Sequence, residues 1–394
     1  MVGDPWLSII GLNEDSLDGL STASREALVN ADIVFGAPRH LELAQAGARG
    51  QAWPVPFSTA PVLACRGMRV AVLASGDPFW HGAGGSLVRD LARNEWHAYP
   101  APSTFTLATS ALGWRMEEIT CHGLHAAPLA RLRGVLAPHA RMICLMRDGN
   151  APAQLADWLN AQGAGAATLT VMERLGGPNQ RLRDARADAF SLTDIAAPVT
   201  VAVELPSGVG LSRASGLPDD VFAHDGQITK QPVRALTLSA LAPRPDALLW
   251  DIGAGSGSIS VEWCLAGGRA IAFEQHLKRI ANIERNIADF GISHRMKAVA
   301  GLAADYLADH PIPDTVFVGG GARQPLLNSL YETLPAGTRL VINGVTLETE
   351  ALLAQAHCDR GGLLMRFDIA QATPLGPMRG WTAARPIVQW SVTL

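Results

Sequence analysis

The chain has no CxxC pair; its five cysteines, Cys65, Cys121, Cys144, Cys264 and Cys358, are scattered over 394 residues. Such spacing offers neither a zinc site nor a disulfide framework, and suits reduced, mostly buried thiols in the cytoplasm. No apolar run approaches the ~20 residues needed to cross a bilayer. The opening Met1-Val-Gly-Asp-Pro lacks the basic and apolar regions of a secretory signal. Basic charge is not in excess either: 32 Lys and Arg stand against 36 Asp and Glu, a formal charge of −4. That balance argues against binding nucleic acid through a general basic field. No short repeat, low-complexity segment, Ser-His-Asp arrangement or metal-ligand cluster is present. What is abundant is apolar content, at 48% of residues. The length is too great for one ordinary core and suits two.

Both halves alternate short β-branched runs with longer amphipathic stretches, the pattern of an α/β protein with largely parallel sheets. Strands are predicted at 7–10, 33–35, 69–73, 141–145, 168–173 and 199–204, with helices such as 22–31 and 152–161 between them. The stretch 206–216, rich in Gly, Ser and Pro, is the best boundary. It divides the chain into domains 1–205 and 206–394. The second begins with a helix at 232–241 and continues with strands at 248–252, 269–273, 315–318 and 339–342. Two late runs, 363–368 and 387–392, read as a closing antiparallel pair.

The clearest chemical signal is Asp251-Ile-Gly253-Ala254-Gly255-Ser256-Gly257-Ser258, which follows an apolar strand and opens a helix at 259–264. Glycines permit a tight strand-to-helix turn and close approach of a ligand to the backbone. The helix start then offers free N–H groups to a carboxylate or phosphate. A dinucleotide fingerprint would carry its third glycine at Ser258, one residue later than Gly257. The observed spacing, with Asp251 ahead of it, favours S-adenosylmethionine over NAD. Glu274 ends the next strand at about the ~20-residue distance expected of an acid that binds ribose hydroxyls. Glu262, on the helix, is placed to reach an amino group or to face solvent. Gly319-Gly320-Gly321, after the strand 315–318, either leaves room for a flat substrate or forms a plain turn. Pro374–Trp381, between the last two strands, is a candidate flap carrying Arg379.

In the first half, Ala74-Ser75-Gly76-Asp77-Pro78 after an apolar strand makes a sharp turn, with Pro78 fixing φ and Asp77 capping local N–H groups. The turn can present backbone groups to a ligand in a cleft. His81 and His122 are either satisfied structural histidines or groups that orient carboxylates and move protons, since imidazole titrates near neutral pH.

Two resemblances follow from these residues. Gly216-Leu-Pro-Asp219-Asp-Val-Phe222, Gly226-Gln-Ile-Thr229-Lys230-Gln-Pro-Val-Arg234, Trp250–Ser258 and Phe273-Glu274 together are similar to the decarboxylating precorrin methyltransferase domain of cobalamin biosynthesis. That likeness implies a Rossmann-like class I methyltransferase fold, in which Thr229, Gly253, Ala254, Gly255, Ser256, Gly257, Glu274 and Ala303 hold S-adenosylmethionine. Leu302 stands where that family usually carries an acid. Over the first two hundred residues, Trp6–Gly11, the Ser75–His81 turn, Pro102-Ser103-Thr104, Cys121-His122-Gly123 and Glu173–Pro178 resemble the tetrapyrrole methylase family. This implies the class III methylase fold, with Gly76 and Asp77 at the methyl donor and His81 and His122 at the substrate.

The fused pair implies methyl transfer at C5 and C15 of a precorrin and loss of carbon dioxide from the ring C acetate. By analogy, C5 falls to the first half and C15 with decarboxylation to the second. Displacement at a sulfonium needs mainly in-line positioning, and the conjugated macrocycle serves as its own electron sink. A polycarboxylate substrate calls for fixed cations; Arg39, Arg115, Lys230, Arg234, Arg323 and Arg379 are candidates. A homo-oligomer acting on a tetrapyrrole, without nucleic acid, membrane or metal, is expected. The alternative is an RNA methyltransferase with a non-catalytic first module.

Overall fold

Five strands open the chain and pair as a parallel sheet in the order β3-β2-β4-β1-β5: β1 Leu7–Leu12, β2 Ile33–Gly36, β3 Gly50–Ala52, β4 Val70–Ser75 and β5 Trp96–Tyr99. The structure is a computed structural model that describes residues 5–394; residues 1–4, part of the stretch considered for a secretory signal, lie outside the described residues. β1 and β4 are covered on both faces, so they are mostly apolar instead of alternating with polar residues. Leu7, Ile9, Val70 and Val72 pack into one cluster, while Ile10, Leu12, Ala71 and Leu73 pack into another, the two-residue period of a strand. The helix Thr22–Val29 is capped by Ser21, whose hydroxyl accepts from Ser24 N at 3.2 Å. It stops two residues short of the expected end. Asp32 N–H is already committed to Arg69 O at 2.7 Å, which starts the next sheet contact.

A second sheet follows, from β6 Ile119–Gly123, β7 Arg141–Leu145, β8 Thr168–Glu173, β9 Arg181–Arg186 and β10 Val199–Glu204, ordered β6-β7-β10-β8-β9. Only β6 and β7 run parallel here; the other three pairings are antiparallel. The expectation of largely parallel sheets therefore fails for this layer. The connection between β8 and β9 is short, and a short connection can only return the chain antiparallel.

The third sheet has the order β13-β12-β11-β14-β15-β19-β16, built from β11 Leu248–Ile252, β12 Arg269–Glu274, β13 Met296–Ala300, β14 Thr315–Val318, β15 Arg339–Gly344, β16 Leu363–Phe367 and β19 Ile387–Thr393. β16 and β19 pair antiparallel, and β19 also pairs with β15. Between them β17 Ala370–Leu375 and β18 Met378–Ala383 form a separate hairpin that contains Arg379. Two apolar clusters cover the sheet, one around Trp263, Ile283 and Phe317 and the other around Trp250, Leu330 and Trp390. The helix Ser258–Leu265 is buried almost all round, which leaves it no polar stripe to reveal its orientation.

Contacts divide the chain into two compact units. The first runs to Leu129 and resumes over Leu136–Val209; the second comprises Ala130–Val135 and Gly210–Leu394. In the second unit strand order reverses at β11, which lies between β12 and β14. The crevice beyond the carboxyl ends of those strands is where open α/β sheets take their ligands.

Candidate methyl-donor crevices

The crevice of the second unit begins at the turn after β11. Gly253, Gly255 and Gly257 have φ of +69°, +60° and +72°, a region that side-chain-bearing residues rarely adopt. A Cβ at Gly253 would sit 2.8 Å from Gly320 O, so two glycine turns pack backbone against backbone. Gly253 N and Ala254 N both donate to Phe273 O, at 3.0 and 3.1 Å. Gly255 N donates to Glu274 Oε2 at 2.9 Å, and His276 N to Oε1 at 3.0 Å. Glu274 therefore shapes the loop as well as facing the crevice. Each of its oxygens retains lone-pair capacity for a hydroxyl donor.

The crevice encloses about 500 Å³ and is lined by Gly253, Glu274, His276, Leu302, Ala303 and Arg323, among others. Gly253, Glu274 and Ala303 thus line one crevice. Ala254, Gly255, Ser256 and Gly257 form the turn itself. Thr229 belongs to the segment that crosses the turn, where Gln227 O would lie 3.2 Å from a Cβ on Gly255. Leu302 is 58% exposed and gives the crevice an apolar surface.

Beside the turn, Asp251 Oδ1 and Ser256 Oγ are buried without a hydrogen-bond partner among the described residues. Asp251 Oδ2 accepts from Ser260 Oγ at 2.6 Å. Burial, aided by the nearby charge of Glu274, pushes the Asp251 carboxyl up to about 7. An unpaired carboxyl oxygen, an unpaired hydroxyl and a helix start complement the ammonium and carboxylate of an amino-acid head group. The residues present fit S-adenosylmethionine.

Two expectations need correction. Glu262 does not reach the crevice: its carboxylate accepts from Gly216 N at 2.7 Å, Leu217 N at 2.9 Å and Arg234 Nε at 2.6 Å. Arg234 is fully buried, also paired with Asp219 at 3.1 Å and bonded to the carbonyls of Leu217 and Thr229. It is consumed internally and cannot meet a substrate carboxylate. Lys230 lies 3.5 Å from Asp219 and keeps its exposure, while Arg379 is exposed on the β17–β18 hairpin. Arg115 is paired with Glu117 and Glu118.

In the first unit the ends of β1 and β4 interlock. Gly76 has φ +56°, and a Cβ there would lie 2.9 Å from Pro102 O. A Cβ at Gly11 would collide with Gly76 O. Both glycines serve close backbone packing. Asp77 Oδ1 accepts from Phe79 N at 2.8 Å, forming the capped turn the sequence implies. A cleft of about 330 Å³ lies beyond, with Asp77, His81, Trp80, Phe105, His125 and Thr200 among its walls. His122 is not among the lining residues; its Nε2 bonds Thr120 Oγ1 at 2.9 Å on its own strand.

His40 also lines this cleft, unforeseen from sequence. Its Nε2 meets Ser75 Oγ at 2.9 Å and Arg39 Nη2 at 2.9 Å, and Arg39 is paired with Glu14. Burial and the Arg39 charge hold its imidazole down at about 4. His125 and His276 were missed as well. Each stands two residues beyond a strand's carboxyl end, and that position was the available signal.

Comparison with known proteins agrees with this division. A model described as Tetrapyrrole (Corrin/Porphyrin) Methylases matches residues 7–190, and one described as Precorrin methyltransferase domain matches 220–394. A precorrin-6Y C(5,15)-methyltransferase [decarboxylating] of Sinorhizobium sp is 44% identical over 99% of this chain and 96% of its own. A protein of the same name from Mycobacterium tuberculosis (strain CDC 1551 / Oshkosh) is 41% identical over 98% of this chain and 99% of its own. A probable cobalt-precorrin-6B C(15)-methyltransferase (decarboxylating) of Pyrobaculum calidifontis is 33% identical over 40% of this chain and 82% of its own.

A tetrapyrrole methylase unit followed by a Rossmann-like unit defines a two-domain methyltransferase. Within that class, the chain belongs to the family of precorrin-6Y C(5,15)-methyltransferases (decarboxylating).

Proposed function

We propose that the chain acts in cobalamin biosynthesis, methylating precorrin-6Y at C5 and C15 and decarboxylating the ring C acetate to give precorrin-8. The observation that carries this reading is the joining of two unlike methylase units, matched end to end by relatives of that name. The same whole-chain match favours it over an RNA methyltransferase. We assign C5 to the first unit and C15 with decarboxylation to the second. A relative named for C15 methylation and decarboxylation alone spans 40% of this chain, about one unit's worth, which supports two separable sites.

S-adenosylmethionine, when bound, supplies the electrophilic methyl group at each site. In the second unit Glu274 accepts from its ribose hydroxyls, and the Gly253–Gly257 turn lets its backbone approach. Asp251 and Ser256 meet the amino-acid end, and Ala303 with Leu302 offers an apolar surface to the base. Arg323, at the crevice wall, meets a substrate carboxylate. Binding and alignment account for most of the rate. Five free cysteines fit a reducing cytoplasm.

The test is incubation with precorrin-6Y and S-adenosylmethionine, followed by mass and carbon dioxide analysis. Two added methyl groups and one carbon dioxide per macrocycle are expected. Two methyls without carbon dioxide would overturn the role given to the second unit, and methylation of transfer RNA alone would overturn the whole reading.

A further inference from the structure

The segment leading into the helix Gln231–Leu241 is fixed at both ends and exposed between them. At the near end Ala223 N donates to Asn286 Oδ1 at 2.7 Å. Asn286 Nδ2 in turn donates to Ala223 O at 3.0 Å and to Ser256 O at 2.9 Å. Asn286 is fully buried, so this end is tied to the glycine turn itself. At the far end Thr229 O accepts from the buried Arg234, and Ile228 packs against the core around Trp263. Asp225, Gly226 and Gln227, between these anchors, are exposed and belong to no helix or strand.

That exposed stretch runs beside the turn, since a Cβ on Gly255 would lie 3.2 Å from Gln227 O. Its shape is set locally: Gln227 N donates to Asp225 Oδ1 at 3.0 Å, and Gly226 N to His224 Nδ1 at 3.0 Å. Its position is held from outside. Arg279 Nε donates to Asp225 Oδ2 at 3.1 Å, across 54 residues of chain. Arg279 stands in the first turn of the helix Leu277–Asp289 and lines the same crevice as Glu274, Leu302 and Ala303. The Gln227 N–H and the Arg279 guanidinium hold the Asp225 carboxyl below the usual carboxylate range, so it is charged at neutral pH. The side chains of Arg279 and Asp225 are 26% and 40% exposed, and an ion pair so open to water adds little to global stability. Its effect falls on local opening, where small free energies decide how long a tethered stretch stays docked.

Resting on the reading of this crevice as the methyl-donor site, we propose that the Asp225–Arg279 pair positions the stretch 225–229 against the glycine turn and so sets the second unit's affinity for S-adenosylmethionine. Asp225 and Arg279 are positioning residues: one belongs to the stretch that ends at Thr229, the other to the crevice wall. With the pair broken, the stretch opens between its anchors, and donor binding carries the cost of re-ordering it. That cost is the same in the ground and transition states, so it raises KM for the donor and leaves kcat in place.

The experiment titrates the full chain with S-adenosylhomocysteine by calorimetry, comparing wild type with Asp225→Asn, Arg279→Gln, the double variant and Arg279→Lys. Asparagine keeps an acceptor for Gln227 N and removes only the charge. The site missing from Gly255→Val identifies the one in the second unit. Expected there is a weakening of about fivefold in each single charge-removing variant, with no further loss in the double variant. Arg279→Lys, which keeps the charge, stays near the wild-type affinity. Methylation at C15 shows the same rise in donor KM without a change in kcat, the donor KM at C5 is unaltered, and the melting temperature holds. Weaker binding in Arg279→Gln but not in Asp225→Asn would overturn the proposal, making Arg279 a direct ligand contact. Additive losses in the double variant, or unchanged affinity in both single variants, would overturn it as well. A melting temperature that falls in step with affinity would do the same, because the pair would then hold the unit and not the stretch. If wild type shows no site that Gly255→Val removes, the reading of the crevice itself fails, a result distinct from a defect confined to the variants.

Discussion

Arg234 Nε donates to Glu262 Oε1 at 2.6 Å, with the guanidinium wholly buried and the carboxylate nearly so. Through this pair the helices Gln231–Leu241 and Ser258–Leu265 are tied to the segment entering the second unit, since Glu262 also holds Gly216 N and Leu217 N. Removing Glu262 leaves the buried guanidinium with Asp219 as its remaining carboxylate and strips Gly216 N and Leu217 N of their acceptor, and breaking a buried pair costs about 3–5 kcal/mol. Glu262→Ala is expected to destabilise the second unit by that amount in urea denaturation, and to weaken S-adenosylmethionine binding through the loosened segment ending at Thr229.

The glycine turn gives a second outcome. Gly255 has φ +60° and lies under Gln227 O, so a β-branched side chain there is both strained and crowded. Gly255→Val should abolish the second unit's methylation while the first unit's remains measurable. Mass analysis of the macrocycle, with circular dichroism to check the fold, decides it.

Asp251 ties stability to pH in one direction. Its folded-state carboxyl lies at about 7 against an ordinary 3.8, so the folded state holds a proton that the unfolded state releases. The stability it contributes is full below about 3.8 and is lost as pH rises toward about 7. Asp251→Asn should therefore flatten the fall in denaturation midpoint over that window and exceed wild type at pH ~8.

His40 acts in the opposite sense. Its imidazole is held at about 4 against an ordinary 6.5, so the unfolded state binds the proton first. Stability is full above about 6.5 and declines as pH falls toward about 4. His40→Gln should reduce the acid-side decline of the first unit. Melting curves recorded across that range test it.

Much of the architecture was legible in the pattern of residues. β7, β8, β10, β11 and β14 fall at their expected limits, because mostly buried runs rich in β-branched and other apolar residues stand out between turn residues. β9, Arg181–Arg186, escaped notice since four of its six residues are charged and it lies half-buried at a sheet edge. Two of those arginines are held by the buried Glu173, at 2.6 and 2.9 Å, a pairing with no sequence periodicity. Arg234 and Arg323 look alike as isolated basic residues, yet one is sealed in an ion network and the other lines a crevice.

The glycine turn, its acid at Glu274 and the capped Ser-Gly-Asp-Pro turn were determined by sequence alone. Their backbone conformations are local, and few residue types can adopt them. The antiparallel second sheet, the diversion of Glu262 from ligand to Arg234, and the meeting of Asp225 with Arg279 were decided by tertiary structure. Each joins residues far apart in the chain, where burial and charge pairing act and local pattern carries no record of the partner.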